Sequence, residues 1–388
     1  RSLRACPSPR PHTTMSKLLR TVALLLLLLL LGNLGWTWAL IPSSLGGLSA
    51  RRYDSIFSFG DSFADTGNNP VVFAENDVPD VVMRSPYGCT SFGRPTGRNS
   101  DGRLIIDFMA QHLGVPLVPP SLAYNGSFRR GANFAVGSAT ALDAAFFPPA
   151  KFPLNISLGV QLEWFESLKP SLCHTTQECE EFFGRSLFFV GEFGVNDYHF
   201  SFPTKSVQEI MLFVPDVIGT ISTAIQRLME HGATSFVVPG TIPSGCAPPI
   251  LAMFSDDDPA AYNSTTGCLE DINRLGMHHN LLLQEALEKL RGKHPNTTII
   301  YADLFGHIMD MVESPRKFGF EEDVLTICCG GPGTLYCGDD GAYLCEKPSA
   351  RLFWDGVHLT EAAYRYIADD WLRSIDSPAT ARERSLSY

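Results

Sequence analysis

The chain has 388 residues, of which 45% are hydrophobic and 18% are charged, and its formal net charge is -11. This apolar fraction predicts a packed globule, and a length well above about 150 residues is ordinary for a single α/β domain. The negative charge disfavours a nucleic-acid partner, because a surface that binds phosphates has to concentrate cations.

The beginning of the chain predicts export. Residues 1–14 precede the first methionine and are interpreted as a translated upstream segment. Residues 15–39 are interpreted as a secretory signal peptide, with a basic start, an apolar block over residues 22–31 and a plausible cleavage site. A membrane anchor is the alternative, but a span needs about 20 apolar residues. We therefore expect no stable membrane insertion after cleavage.

Two short patterns in the rest of the chain agree with a secreted protein. An oxidising compartment lets cysteines pair, so Cys173 is expected to bond to Cys179 and Cys246 to Cys268, with Cys89 left as a free thiol. The remaining cysteines form a dense cluster that consists of Cys328, Cys329, Cys337 and Cys345. A zinc site is the alternative to disulfides in this cluster, although the usual C-x2-C ligand pairs are missing. Four Asn-x-Ser/Thr triplets are glycosylation candidates, at Asn125, Asn155, Asn263 and Asn296.

The mature chain shows the alternation of strands and helices that is typical of a largely parallel α/β sheet. Apolar, β-rich runs predict strands at residues 55–59, 186–191, 234–238 and 298–301. Apolar residues at helical spacing predict two helices packed against the sheet, over residues 207–231 and 269–293.

The remaining segments predict surface loops and the bounds of one domain. Residues 68–96 and 123–153 are rich in Gly, Pro and Asn and are predicted to be long surface loops that shape a cleft. We expect one domain over residues 50–375 and a flexible tail over residues 376–388.

Three side chains suggest nucleophilic catalysis. Ser62 directly follows the first predicted strand, and Asp355 and His358 stand three residues apart before a predicted helix. A serine hydroxyl needs a histidine to take its proton and a further group to orient that histidine. The alternative is that Asp355 only caps the helix and His358 is an exposed turn residue.

An oxyanion hole needs hydrogen-bond donors near the same point. The candidates are the backbone N–H groups of Ser62 and of Gly137 or Ser138, and the side-chain amide of Asn196. Asn196 could instead simply form a turn, because Gly, Asn and Asp are common in turns.

These segments carry a family resemblance. Residues 60–68 (GDSFADTGN), 133–139 (NFAVGSA), 194–197 (GVND) and 355–358 (DGVH) resemble, in order, the four blocks of the plant GDSL (SGNH) esterase/lipase family. The resemblance extends over residues 53–372. Further likeness lies in short motifs such as Pro86-Tyr87-Gly88.

The resemblance implies a flavodoxin-like three-layer α/β/α SGNH hydrolase fold with a mostly parallel central sheet. It also implies that Ser62 is the nucleophile, His358 the base and then acid, Asp355 its orienting partner and Asn196 an oxyanion donor. Many plant relatives carry Gly-Gly where this chain has Gly137-Ser138. The serine can donate its N–H if the turn needs no positive φ.

Other motifs are missing or carry no partner. The G-x-S-x-G pattern is absent, so we expect no sharp nucleophile elbow. No cofactor motif or metal-protease motif occurs, and no cofactor or metal is expected. His199, His278 and His279 have no partner motif and are interpreted as structural or cleft-lining residues.

The sequence therefore predicts a secreted, extracellular or cell-wall serine carboxylic ester hydrolase that is monomeric and acts on short acyl esters, with acetyl groups of wall polysaccharide such as xylan as the first candidate. Alternatives are phenolic, choline or lipid esters, an acyltransferase and a non-catalytic wall-binding protein. We expect kcat/KM to rise with pH through one ionisation near the reference histidine pKa of about 6.5.

Overall fold

The computed structural model describes residues 52–147, 154–331, 336–337 and 343–376. The predicted upstream segment and signal peptide lie outside the described residues, as does the tail from residue 377. Asp376 is the last residue of a helix, so the first residue of the predicted tail is helical.

A five-stranded parallel sheet forms the centre of the fold, in the order β2-β1-β3-β4-β5. This is the flavodoxin-like strand order, and it confirms the predicted fold class. A two-stranded antiparallel pair, β6-β7, lies apart from the sheet. The strands are β1 (Ser55–Phe59), β2 (Gly131–Asn133), β3 (Ser186–Val190), β4 (Ser235–Pro239), β5 (Thr298–Ala302), β6 (Cys329–Gly330) and β7 (Tyr343–Leu344).

Eleven α-helices are found in the described part of the chain. They are α1 (Asn69–Glu75), α2 (Ile105–Leu113), α3 (Leu158–Leu168), α4 (Thr176–Phe183), α5 (Val195–His199), α6 (Val207–Met211), α7 (Val214–Glu230), α8 (Pro248–Met253), α9 (Glu270–Lys293), α10 (Phe305–Glu313) and α11 (Glu361–Asp376).

Alternating strand residues build two hydrophobic cores, one on each face of the sheet. In β1, Phe57 and Phe59 join the core that contains the apolar faces of α3, α7 and α9. Ile56 points the other way and joins the core with α2, α10 and α11. The result is the three-layer architecture predicted from the resemblance.

Three predicted segments differ from the structure. Residues 68–96, predicted to be a surface loop, contain the helix α1, whose Val72 and Phe73 are buried. The helix expected over residues 207–231 is divided into α6 and α7, because Pro215 lacks the N–H that would bond to the Met211 carbonyl. By length and composition this segment could cross a membrane, but its apolar face packs in the sheet core. The stretch 123–153 is not only a surface loop, because it contains the buried strand β2.

Four disulfides are described, and the two predicted pairs are confirmed: Cys173–Cys179 and Cys246–Cys268. The cysteine cluster forms Cys328–Cys345 and Cys329–Cys337, which removes the thiolates that zinc would need. The prediction of a free thiol at Cys89 is wrong. Cys89 is disulfide-bonded.

The sequons differ in exposure. Three of the four asparagines are exposed: Asn125, Asn155 and Asn296. Asn263 is half-buried, and its side-chain oxygen accepts hydrogen bonds from Thr265 and Thr266. Glycosylation stays a prediction at all four.

Candidate active site

The turn after β1 holds Ser62 at the C-terminal end of the sheet, where ligands bind in open parallel α/β folds. Gly60 makes this turn possible: its φ is +151°, and a Cβ there would lie 1.9 Å from the Gly191 carbonyl oxygen. Gln161 of α3 exchanges two hydrogen bonds with the Gly60 backbone, at 2.9 and 2.8 Å. The turn that holds Ser62 is therefore anchored through both backbone groups of Gly60.

The structure brings the three side chains of the predicted triad together. His358 Nε2 lies 2.7 Å from Ser62 Oγ, and His358 Nδ1 lies 2.8 and 2.9 Å from the two carboxyl oxygens of Asp355. Asp355 Oδ1 also accepts the backbone N–H groups of Val357 and His358, so the same carboxylate fixes the loop and the ring. His358 is buried, not an exposed turn residue.

In the turn after β2, the backbone N–H groups of the two candidates for the oxyanion hole differ in their hydrogen bonding. Gly137 N–H donates to Asp65 Oδ2 at 3.1 Å, so in this arrangement it is not available to an oxyanion. In the described part of the chain, the N–H groups of Ser138 and Ser62 donate to no other residue. Ser138 has φ +70°, so the turn does require a positive φ and the condition stated for the serine as donor is not met. The serine nevertheless adopts this backbone conformation, with its N–H unengaged among the described residues.

Asn196 stands in the first turn of α5, at the C-terminal end of β3. Its Nδ2 group donates to Asp61 Oδ2 at 2.9 Å and to the Ala139 carbonyl at 3.0 Å. Asn196 therefore ties the turns after β1 and β2 together. To donate to a bound substrate it has to exchange one of these bonds.

Four buried carboxyl groups lie around these turns, and sequence reasoning missed their importance. Asp65 Oδ1 and Oδ2 accept four backbone N–H groups, including that of Gly137, yet burial raises the pKa of Asp65 to about 7. Burial raises the pKa of Asp197 to about 6, and that of Glu192 to about 7. Burial, followed by the charge of Glu192, also raises the pKa of Asp61.

These shifts predict a protein whose free energy of unfolding falls as pH rises. Between the ordinary carboxyl pKa of about 4 and pH 7, the folded protein retains protons that the unfolded chain releases. Glu192 is the clearest case, because neither carboxyl oxygen has a hydrogen-bond partner in another residue of the described chain.

We expect Glu192→Gln to reduce the difference in unfolding midpoint between pH 5 and pH 7.5 by about 2 °C or more, the shift that roughly 1 kcal/mol causes in a domain of this size. A neutral amide removes the carboxyl whose ionisation burial opposes. Thermal unfolding at the two pH values measures the effect. Glu285→Gln, on the exposed side of α9, is the control; equal pH dependence in all three proteins contradicts the prediction.

The other histidines singled out in the sequence have structural contacts. His279 is buried, and its Nδ1 lies 2.6 Å from the Tyr198 hydroxyl. His199 Nε2 lies 3.0 Å from Ser244 Oγ, and burial lowers the pKa of His199 to about 4. His278 is half-buried on α9. His279 also packs against Gly194, where a Cβ would lie 2.7 Å from the imidazole, and so supports the turn that leads to Asn196.

Comparison with known proteins agrees with this arrangement. The family model described as GDSL-like Lipase/Acylhydrolase matches residues 56–371. A GDSL esterase/lipase of Arabidopsis thaliana is 46% identical over 334 residues, which cover 82% of this chain and 89% of the relative. The sinapine esterase of Brassica napus is 43% identical over 332 residues, covering 82% of this chain and 85% of the relative.

The match extends from β1 into α11 and includes every segment that contributes to the site. Both relatives are more than 40% identical over about four fifths of the chain. The chain therefore belongs to the GDSL-like lipase/acylhydrolase family and is a serine ester hydrolase.

Proposed function

We propose that the chain hydrolyses carboxylic esters through an acyl-enzyme formed on Ser62. The observation that carries the proposal is the continuous contact from Ser62 Oγ through His358 to Asp355, with distances of 2.7, 2.8 and 2.9 Å. A base within hydrogen-bond reach activates the hydroxyl, and a carboxylate at the other ring nitrogen holds the required tautomer. No cofactor or metal is needed for this chemistry.

The proposed reaction has two steps. His358 Nε2 takes the Ser62 proton while Oγ attacks the ester carbonyl, and it then gives that proton to the leaving alcohol as the carbon–oxygen bond breaks. In the second step His358 takes a proton from water, the water oxygen attacks the acyl-enzyme, and the proton returns to Ser62 as the acid leaves.

The oxyanion formed in each step is proposed to bind the N–H groups of Ser62 and Ser138, which are not engaged elsewhere in the described chain. Asn196 supplies a third donor by exchanging its bond to the Ala139 carbonyl for one to the oxyanion. A bond that forms only with the developing charge lowers the barrier without tightening substrate binding.

We expect Asn196→Ala to lower kcat about 10²- to 10³-fold with little change in KM, because an oxyanion donor acts in the transition state. Steady-state hydrolysis of p-nitrophenyl butyrate measures both constants. Asn76→Ala is the control, because it removes an exposed amide that bonds only within its own helix end. A kcat for Asn196→Ala equal to that of the control removes Asn196 from this role.

We propose short acyl esters as substrates, with acetyl groups of wall polysaccharide as the first candidate and a secreted, extracellular or cell-wall location. The disulfides support an oxidising compartment. Choline esters of phenolic acids are the second candidate, because one relative, at 43% identity, is named sinapine esterase.

A panel of acetylated xylan, sinapine and glycerides, with the released acid quantified, tests the substrate. Fast release of acetate from xylan supports the first candidate, and preferential cleavage of sinapine replaces it with the second. The same assay with an added alcohol separates a hydrolase from an acyltransferase. Transfer of most acyl groups to the alcohol rather than to water contradicts the proposed hydrolysis.

A further inference from the structure

Tyr87 lies beside the proposed triad although it is 268 residues from Asp355 in sequence. Its ring is fully buried and meets the ring of Trp354 edge-on, with centroids 5.7 Å apart. The two rings share a small apolar cluster, separate from the two sheet cores, with Val82, Cys328, Cys329 and Cys337. The position of the Tyr87 hydroxyl is therefore fixed by packing.

The hydrogen-bond roles of this hydroxyl are forced by its two partners. A backbone N–H can only donate, and Cys337 N–H lies 3.1 Å from the Tyr87 oxygen. A carboxylate can only accept, and Asp355 Oδ2 lies 2.8 Å from the same oxygen. The Tyr87 hydroxyl therefore donates its hydrogen to Asp355 Oδ2.

The other partners of Asp355 leave a specific task for Tyr87. Oδ1 accepts the N–H groups of Val357 and His358, as well as the imidazole, so it is held by its own loop. Oδ2 contacts only the imidazole and Tyr87 among the hydrogen bonds of the described residues. Without Tyr87, the carboxylate would be restrained on the Oδ2 side by the imidazole alone.

We propose that Tyr87 is a positioning residue for ester hydrolysis: its hydroxyl fixes the orientation and charge distribution of the Asp355 carboxylate, through which it acts on His358. The inference rests on the proposed roles of Asp355 and His358. The Cys329–Cys337 disulfide supports this arrangement, because Cys337 also supplies the N–H group that donates to the Tyr87 oxygen.

Burial, followed by the charge of Asp355, raises the pKa of Tyr87 well above its usual range, so the hydroxyl keeps its proton throughout an activity profile. The other titratable groups nearby are Tyr336, whose ring stacks on His358, and Tyr364. The carboxyl groups of Asp61 and Glu192 act on Tyr364 as well. None of these groups is changed by removal of the Tyr87 oxygen.

The test is Tyr87→Phe, which keeps the ring and removes only the hydroxyl. We expect kcat to fall about 10-fold with KM unchanged, as for loss of one hydrogen bond to a charged group. We also expect the pH midpoint of kcat/KM to rise, because a carboxylate that lacks this donor attracts the imidazolium more strongly. Rates are expressed per site titrated with a fluorophosphonate.

The matched control is Tyr343→Phe, which removes a hydroxyl that donates to the Ile327 carbonyl at 2.8 Å in the same disulfide-bonded region. It should leave kcat and the pH midpoint unchanged. If Tyr87→Phe does not fold, 3-fluorotyrosine introduced at position 87 keeps the shape and strengthens the donor. The pH midpoint should then fall, and an unchanged midpoint overturns the proposal.

Two further outcomes separate the explanations. If Tyr87→Phe lowers the number of titratable sites but leaves the rate per site and the pH midpoint unchanged, its role is only structural and the proposal is wrong. If Tyr87 acts through Asp355, then Tyr87→Phe should have less than about a threefold effect in an Asp355→Asn background. Full activity of Tyr87→Phe beside an inactive Ser62→Ala overturns this inference alone, whereas an active Ser62→Ala overturns the proposed function.

Discussion

Ser62→Ala is expected to lower kcat for p-nitrophenyl acetate and butyrate by about 10⁴-fold or more, because no acyl-enzyme can form without the hydroxyl. The change should leave the fold intact. Ser62 lies in the turn after β1, and among the described residues its Oγ is hydrogen-bonded to His358 Nε2 alone. Circular dichroism and thermal unfolding verify the fold beside the kinetic assay.

Ser58→Ala is the matched control for this change. Ser58 lies in β1, four residues before Ser62, and its buried hydroxyl has no hydrogen-bond partner in the described residues. Loss of an unpartnered buried hydroxyl costs little stability, so activity should be that of the parent. If Ser62→Ala were as active as Ser58→Ala and the parent, another group would have to be the nucleophile.

Asp355→Asn is expected to lower kcat about 10⁴-fold while Ser62 and His358 remain present. An asparagine amide would donate to Nδ1, which leaves the proton on the nitrogen that has to accept it from Ser62. Because burial is complete at Asp355, no solvent can replace the carboxylate. Steady-state kinetics at several pH values measure the loss.

The control for Asp355→Asn is a second Asp–His pair outside the site. Asp370 Oδ2 lies 3.1 Å from His307 Nε2 at a partly exposed position. The side-chain hydrogen bond to His307, together with a weaker effect of the hydrogen bond to Arg373, lowers the pKa of Asp370. Asp370→Asn should lower stability slightly and leave kcat unchanged. An Asp355→Asn protein that retains more than about a tenth of the parent kcat contradicts the orienting role.

The sequence predicted the sheet well because four of its five strands are runs rich in apolar residues, fully buried in β1, β3 and β4 and mostly buried in β5. The remaining strand, β2, has only three residues, Gly131–Asn133. This is too short for an alternation of apolar and polar residues to be visible. The break between α6 and α7 was readable from Pro215, but the apolar spacing continues across it and masked the signal.

The site was predictable where the residue type alone defines the chemistry, as for the serine, histidine and aspartate. The choice between Gly137 and Ser138 was not, because it depends on Asp65, whose carboxylate occupies the Gly137 N–H from 72 residues away. Glu192 and Tyr87 carry no spacing signal either. Their relevance arises from burial and from contacts between distant segments.

The most direct test is mass-spectrometric mapping of the protein after reaction with a fluorophosphonate. The account predicts a single covalent adduct, on the peptide that contains Ser62, formed in parallel with loss of esterase activity and absent from Ser62→Ala. An adduct on a different serine, or complete inhibition without an adduct at Ser62, would contradict it.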